Sequence, residues 1–555
     1  MPALPITRVG PAPVPEGAVP VEVPMRDGVR LAASVHLPDG DGPFPTVLVR
    51  LPYDKDGAMA YLPLVARRFT AAGYAVVVQD VRGKFRSGGE TMFAVHERDD
   101  GHDALDWVVA QPWCDGDVVM WGDSYYGMTA LAAAASGHPA LRAIAPRVTG
   151  TEIGRVFPTP GGATSVEPTM RRAYLAFHMV DRAAYDWPLD WSARPLADQF
   201  ERFFDELGHR SPSYDADVRE PGSLRPPSVE ELLDAPPVPT LWTIAWYDNV
   251  AAASSWRDVR RLLADARWGP VTWLRVEASD HNNNRLADAP FAVHDQTPAE
   301  VERIAAGVTA PAIDFFGHCL RRGGEPPAKV AYEVCRGGWA TAAAWPPPEA
   351  RPLVLHACAD TGGLAPVPPE SPGSVRWTSD GVDLVPSVAS RPFDVVRELH
   401  DLAPVAKRPD VVTLDTEPLA APLVLAGPAE VTGTVRSDQR STDLFARLLD
   451  VTPTGEAWPI THGEVRLAVG AGERGFTIPV LPTAYRLGRG HRLRLHLAST
   501  DFPEFLFNTG DGSDAWHAER AAVTTTTVST GPAGGLALRL SVLPGGTGED
   551  GPATS

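Results

Sequence analysis

DVVMWGDSYYGMTALAAAASG, residues 117–137, is the stretch on which the reading of this chain turns. Its first part, 117–124, is an apolar run of the kind that forms a buried strand, and 125–137 is a helix of small residues. Ser124 stands at the junction, between Gly122-Asp123 and Tyr125-Tyr126-Gly127. A serine in that place needs a sharp turn that lifts its hydroxyl above the sheet, and small residues on both sides make room for the turn. A bare Gly-x-Ser match is common by chance; the strand before it and the helix after it make it informative. The plain alternative is a Gly-Ser turn with no chemistry in a doubly wound sheet. The second glycine falls three residues after the serine, one later than the usual elbow pattern. The helix N-terminus adds partial positive charge beside any oxyanion that develops at Ser124.

Working outward, the same alternation continues on both sides. VEVPMRDGVRLAASVHLP reads as a hairpin turning at Asp27-Gly28, after a proline-rich arm over 1–20. Buried strands are expected at 45–53, 74–83 and 141–148, with helices at LPLVARRFTAAG, closed by Gly73, and at 99–111. Strands and helices alternating at this spacing imply a parallel sheet covered on both faces. The pattern breaks over 150–236, which carries Pro, Trp, Arg and helical stretches such as PLADQFERFFDEL. It resumes with a strand at 238–248, the helix RDVRRLLADA, a strand at 269–278 and helices around 299–322. From about 346 the texture changes to short alternating runs separated by Gly, Pro and Asp, the mark of an antiparallel β-sandwich. The expected division is a discontinuous α/β domain over 1–149 and 237–345, a helical cap inserted at 150–236, and an all-β domain over 346–555, its tail PGGTGEDGPATS disordered.

Bulk composition narrows the function. With 555 residues the chain is too long for one core. A hydrophobic fraction of 44% and a charged fraction of 21% are those of a globular protein. The net charge of −19 disfavours nucleic acid, which needs a basic surface. Cys114, Cys319, Cys335 and Cys358 form no C-x-x-C pair, so neither a zinc site nor a disulfide framework is expected. The first twenty residues lack the basic and apolar regions of a signal peptide, and no apolar run reaches membrane-spanning length. The cytoplasm is the expected location.

A serine hydroxyl is a weak nucleophile and needs a base, and the base needs an acid to hold its tautomer. In α/β-hydrolases these follow in the order Ser, Asp or Glu, His, on loops after strands. Asp248 ends LWTIAWYD and His281 follows TWLRVEASD, both at the C-terminal ends of expected strands. His96 and His102 precede the serine; His178 and His209 fall in the insertion; His294 does not directly follow a strand. Asp280 is a rival acid, but a residue adjacent to a histidine can seldom orient it.

With these residues in place, the chain resembles the cocaine esterase / X-Pro dipeptidyl-peptidase (CocE/NonD) family of hydrolases. The likeness is carried by VPMRDGVRLAASVHLP, RLPYDKDG, VVVQDVRGKFRSGGE, DALDWVVAQPWCDGDVVMWGDSYYG, AIAP, AWYDN, SDHNN, VTGTVRS and FNTG, and it spans nearly the whole chain. The resemblance implies a hydrolase domain, a helical cap and a C-terminal jelly roll. It implies Ser124, Asp248 and His281 as the triad, with the Tyr53 hydroxyl and the backbone N–H of Tyr125 as oxyanion donors. The loop SDHNNN departs from the S-H-x-x of many relatives, and the insertion shows little similarity.

The expectation is therefore a serine hydrolase that cleaves an ester or amide of a small acyl substrate through an acyl-enzyme, without cofactor or metal. Phe157, Phe177 and Trp187 of the insertion are candidate pocket residues, set against a role in the cap's own core. An X-Pro-type dipeptidyl peptidase, and an acyltransferase or lactone-forming enzyme with the same triad, are the alternatives. A carbohydrate-binding sandwich presenting Phe507 and Trp516 is a further one. A small-molecule partner is expected, with neither nucleic acid nor membrane, and a homodimer is left open.

Overall fold

The computed structural model describes residues 6–287, 297–323, 326–388, 399–470 and 472–544. His294 and most of the C-terminal tail lie outside them. A ten-stranded sheet forms the frame of the first half. In chain order its elements begin with β1 (Val19–Pro24), β2 (Arg30–His36), β3 (Phe44–Leu51), α1 (Leu62–Ala71), β4 (Ala75–Asp80) and α2 (Glu97–Val109). The nucleophile region follows as β5 (Cys114–Asp123) and α3 (Ser124–Ala135), then β6 (Leu141–Arg147). Four helices come next: α4 (Met170–His178), α5 (Leu196–Leu207), α6 (Pro212–Arg219) and α7 (Val229–Asp234). The sheet resumes with β7 (Thr240–Tyr247), α8 (Ala252–Ala264), β8 (Thr272–Asp280), α9 (Pro298–Cys319), β9 (Val330–Val334) and β10 (Gly338–Ala342).

The strand order is β10-β9-β8-β7-β6-β5-β3-β4-β2-β1. Pairings from β4 through β3, β5, β6, β7 and β8 to β9 are parallel, and the outermost pairs are antiparallel. Parallel strands need long crossovers, and the helices that supply them cover both faces. That burial is why the strands read as apolar runs: every residue of β4 and β7 is buried.

Residues 148–239 leave the sheet between β6 and β7 and carry α4–α7. Their aromatics pack on one another: Phe177 lies 4.8 Å from Phe203 and 5.9 Å from Phe200, ring centre to ring centre. Two short attachments tie this segment outward. Ala184–Asp186 pairs with Thr7–Val9 of the N-terminal arm. Ala163–Thr164, of a small hairpin, pairs with the second sheet at Arg466. That second sheet runs from Arg351 to Val542 and is almost wholly antiparallel. Its long strands Leu423–Ser437, Ala457–Ala468 and Arg474–Leu487 alternate buried and less buried positions along much of their length, as a sheet with one face inward must, while Ser441–Val451 is buried throughout after its first residue. Phe507 and Trp516 are 1% and 0% exposed, so neither offers a carbohydrate platform.

Candidate active site

Ser124 begins α3 directly after β5, with φ = 51°, a backbone conformation that non-glycine residues rarely adopt. The turn is held from both sides. A Cβ on Gly122 would sit 2.4 Å from the Tyr126 backbone, and one on Gly127 would sit 2.8 Å from the Gly122 carbonyl. The late second glycine is therefore the residue that closes against the first. Thr149 Oγ1 donates to the Ser124 carbonyl at 2.6 Å and pins the elbow.

Sheet register brings the remaining groups to Ser124. β7 and β8 are neighbours, with Tyr247 opposite Asp280, so the next residue of each strand, Asp248 and His281, leaves the sheet side by side. His281 Nδ1 is 2.9 Å from Asp248 Oδ1, and His281 Nε2 is 2.9 Å from Ser124 Oγ. Asp248 Oδ1 also accepts the N–H of Val250 and of Ala251, at 2.8 and 2.9 Å. Burial disfavours the imidazolium, but Asp248, together with Asp280 and Asp123, outweighs it, and the pKa of His281 is raised. The ring is thus both oriented and made more basic, as proton removal from a hydroxyl requires.

Asp280 is turned to another task. Its carboxylate accepts the N–H groups of Asn282 and Asn284 and the Asn284 amide, at 2.8–2.9 Å, and so folds the loop that presents His281. Asn283, at φ = 64°, donates to Asp123 Oδ2 and accepts from Arg147 Nη2. The unusual SDHNNN sequence is therefore a structural loop in which each asparagine or its backbone is bonded. Arg147, at the end of β6, is its anchor: it also pairs with Asp123 at 3.0 Å and Glu277 at 3.0 Å. Burial works against the Glu277 carboxylate, yet Arg147 and Arg275 hold its pKa down at about 2. The sequence carried no motif that marked Arg147.

Tyr53 follows β3, and its hydroxyl interacts with the hydroxyls of Ser124 and Tyr174. The Tyr53 ring makes edge contacts with Tyr126, Tyr174 and His178, 6.2–6.3 Å between centres. The N–H of Tyr125 belongs to the first turn of α3, where backbone donors have no partner within the helix. The Tyr125 side chain points elsewhere, its hydroxyl bonded to Glu97 at 2.9 Å and to the N–H of Ala94 at 3.0 Å.

Ser124 and His281 open into a cavity of about 590 Å³. The cap contributes Met170, Arg171, Tyr174, Leu175 and His178 to its wall. Phe157, Phe177 and Trp187 do not line it. Phe177 and Trp187 belong to the cap's aromatic core, and Phe157 lies under the Arg257 guanidinium, 4.2 Å away. Two of the three rings chosen from sequence, Phe177 and Trp187, thus fill the cap, while α4 presents its polar-tipped rings to the pocket. His178, set aside as a base, is one of these: it stacks on Tyr174 at 5.1 Å, and burial lowers its pKa to about 3. Lys84, from RGKFRSGG, secures this wall by donating to the carbonyls of His178, Asp181 and Ala183.

His102, Asp106 and His138 bring ligand atoms within 4.8 Å of one another, away from this cavity. The N–H of Ala140 donates to His138 Nδ1, which leaves the proton on Nε2, the atom facing Asp106. The ring is held as a hydrogen-bond donor and not as a metal ligand.

A nucleophile elbow, a histidine–aspartate pair and this strand order define a serine hydrolase of the α/β-hydrolase fold. The chain belongs to the cocaine esterase / X-Pro dipeptidyl-peptidase family. Residues 27–283 match the profile of the X-Pro dipeptidyl-peptidase (S15 family), and residues 323–534 match the X-Pro dipeptidyl-peptidase C-terminal non-catalytic domain. Cocaine esterase of Rhodococcus sp. (strain MB1 Bresler) is 31% identical over 547 residues, covering 89% of this chain and 92% of the relative. Among solved structures, an α-amino acid ester hydrolase superposes with a TM-score of 0.79 at 22% identity, over 95% of this chain and 96% of that one. An aminopeptidase from the marine sediment archaeon Thaumarchaeota archaeon gives 0.78 at 21%, over 96% and 99%. These two likenesses bear on the fold.

Proposed function

We propose that this enzyme hydrolyses an ester with an uncharged acyl group, through an acyl-enzyme on Ser124. His281 takes the hydroxyl proton and later returns it to the leaving alcohol; Asp248 fixes the imidazole. Tyr53 Oη and the Tyr125 N–H bond the developing oxyanion. Water then enters by the same base and releases the acid. The observation that carries this reading is the continuous chain of 2.9 Å contacts from Asp248 through His281 to Ser124, opening on a mostly apolar cavity.

The choice of an ester over an amino-terminal peptide rests on charge. A free α-amine entering the pocket needs an unpaired carboxylate. Among the described residues lining it, Asp123 is the acid, and it already accepts from Arg147 and Asn283. Arg171, the guanidinium in the wall, is held by Asp217 and the Leu224 carbonyl. We read the strand-rich C-terminal domain as a jelly roll and place the enzyme in the cytoplasm. All four cysteines are unpaired, as a reducing compartment leaves them. A panel of p-nitrophenyl esters and aminoacyl-prolyl anilides tests the reading. Turnover of neutral esters with little of the anilides is expected; a preference for the anilides contradicts it.

A further inference from the structure

A second cavity, of about 40 Å³, touches Asp248 but neither Ser124 nor His281. Asp248 and Asn249 line it from the end of β7; Arg447, His462 and Glu504 line it from the C-terminal domain. Its polar groups have bonding capacity to spare. Asp248 Oδ1 is saturated by the His281 ring and two backbone N–H groups, but Oδ2 is buried and accepts from no protein group. Asn249 Oδ1 and Nδ2, Arg447 Nη1 and Glu504 Oε1 are buried in the same condition. The rest of the lining is mostly apolar, so these polar atoms are the groups a water could bond; orphaned buried polar groups are rare, and a cavity of this size has room for one or two ordered waters.

Glu504 is placed firmly. Its backbone N–H donates to Ser387 Oγ at 3.0 Å, and its carbonyl accepts the N–H of Thr169, just before α4. Its carboxyl is 7% exposed as part of the whole residue and faces a crowd of acids. Burial, then Asp501, Glu464 and Asp248, push its pKa well up, and Arg447 only partly opposes them. Glu464 itself is pushed to about 8, and burial lowers His462, with Asp501 and Arg447 acting on it in opposite senses. Glu504 is therefore a donor and not a competing anion.

We propose that Glu504 is a positioning residue of the triad: its carboxyl donates to an ordered water in this cavity, and that water donates to Asp248 Oδ2. The domain that matches a non-catalytic profile thus reaches the chemical step through the orienting acid. The proposal rests on the reading of Asp248 as partner of His281. Losing the relay leaves Asp248 oriented by fewer bonds and its charge less spread, so it tilts more freely and holds the imidazolium more tightly.

The test is a pair of variants in the full chain. E504M should lower kcat roughly tenfold, the size of one lost hydrogen bond to a charged group, with KM unchanged. The acid limb of its kcat/KM profile should move to higher pH, a change that a merely structural role does not produce. E504Q keeps a donor of the same size and should behave as wild type. A high-resolution crystal structure should show a water bonded to both Asp248 Oδ2 and Glu504. Wild-type kcat and pH profile in E504M, an E504Q as impaired as E504M, or a cavity without that water would each overturn the proposal, the last even if E504M does not fold. An active S124A would instead remove the triad reading beneath it.

Discussion

Tyr53 separates the chemistry of this site from its packing. Tyr53→Phe keeps the ring contacts with Tyr126, Tyr174 and His178 and removes only the hydroxyl. Loss of one oxyanion donor costs about 2.7–4 kcal/mol, or roughly 10²–10³ in kcat, with KM little changed because the bond strengthens in the transition state. Near-normal kcat in that variant would leave Tyr53 as packing. His281 makes a second demand. It acts as base only when neutral, and Asp248 raises its pKa above the usual 6.5. Activity should therefore be present at high pH and fall, as pH drops, through a value above 6.5. A pH–kcat/KM profile whose acid limb lies below that value would contradict the assigned electrostatics. The role of Tyr53 came from the family resemblance, whereas His281 was legible as the histidine that follows a strand after Ser124 and Asp248 in the chain. The pocket wall was not: Phe177 and Tyr174 sit on the same helix, and sequence does not say which ring turns to the core.

Strand ends do the assembling. Asp123, Arg147, Glu277 and Asn283 join β5, β6, β8 and the His281 loop, and Arg147 touches the other three. An arginine closing an apolar strand carries no local signal, since its partners come from strands adjacent only in the folded sheet. Arg147→Met takes the ion-pair partner from the buried Asp123 carboxylate, while Glu277 keeps Arg275, and breaking a buried pair in this way typically costs about 3–5 kcal/mol. Denaturant unfolding should report a loss of that order, together with a fall in kcat as the His281 loop loosens. A stability within about 0.5 kcal/mol of wild type, the range of an ordinary surface substitution, would show that the network does not hold these strands. Strands β3 to β8 were read to within a few residues, because burial on both faces of a parallel sheet writes apolar runs, but β9 and β10 were not read. The small hairpin at 158–164 and the pairing of Thr7–Val9 were not read, being too short to carry a period.

Across the whole molecule, the cap is gripped between the two sheets. Trp516 is fully buried, with Arg172 4.7 Å above its ring, Phe200 5.4 Å away, and its Nε1 donating to Glu167 at 3.1 Å. Trp516→Ala removes a large side chain from this junction and should destabilise the full chain by about 3–5 kcal/mol. Thermal unfolding that is unchanged would mean the cap stands without the C-terminal domain. The hydrolase and C-terminal domains were visible as a change in sequence texture, but the contacts around Trp516 pair residues hundreds of positions apart.

The central claim is that Ser124 is the nucleophile. A fluorophosphonate reacts with a serine only where a base removes its proton and an oxyanion site receives the phosphoryl oxygen, so peptide mapping after labelling reads both at once. The account predicts one modified peptide, carrying the label on Ser124, and no labelling or turnover in Ser124→Ala, whose kcat should fall by a factor on the order of 10⁶. Label on another residue, or a Ser124→Ala protein that keeps more than about a tenth of wild-type turnover, far above the residue left by loss of a nucleophile, would contradict it.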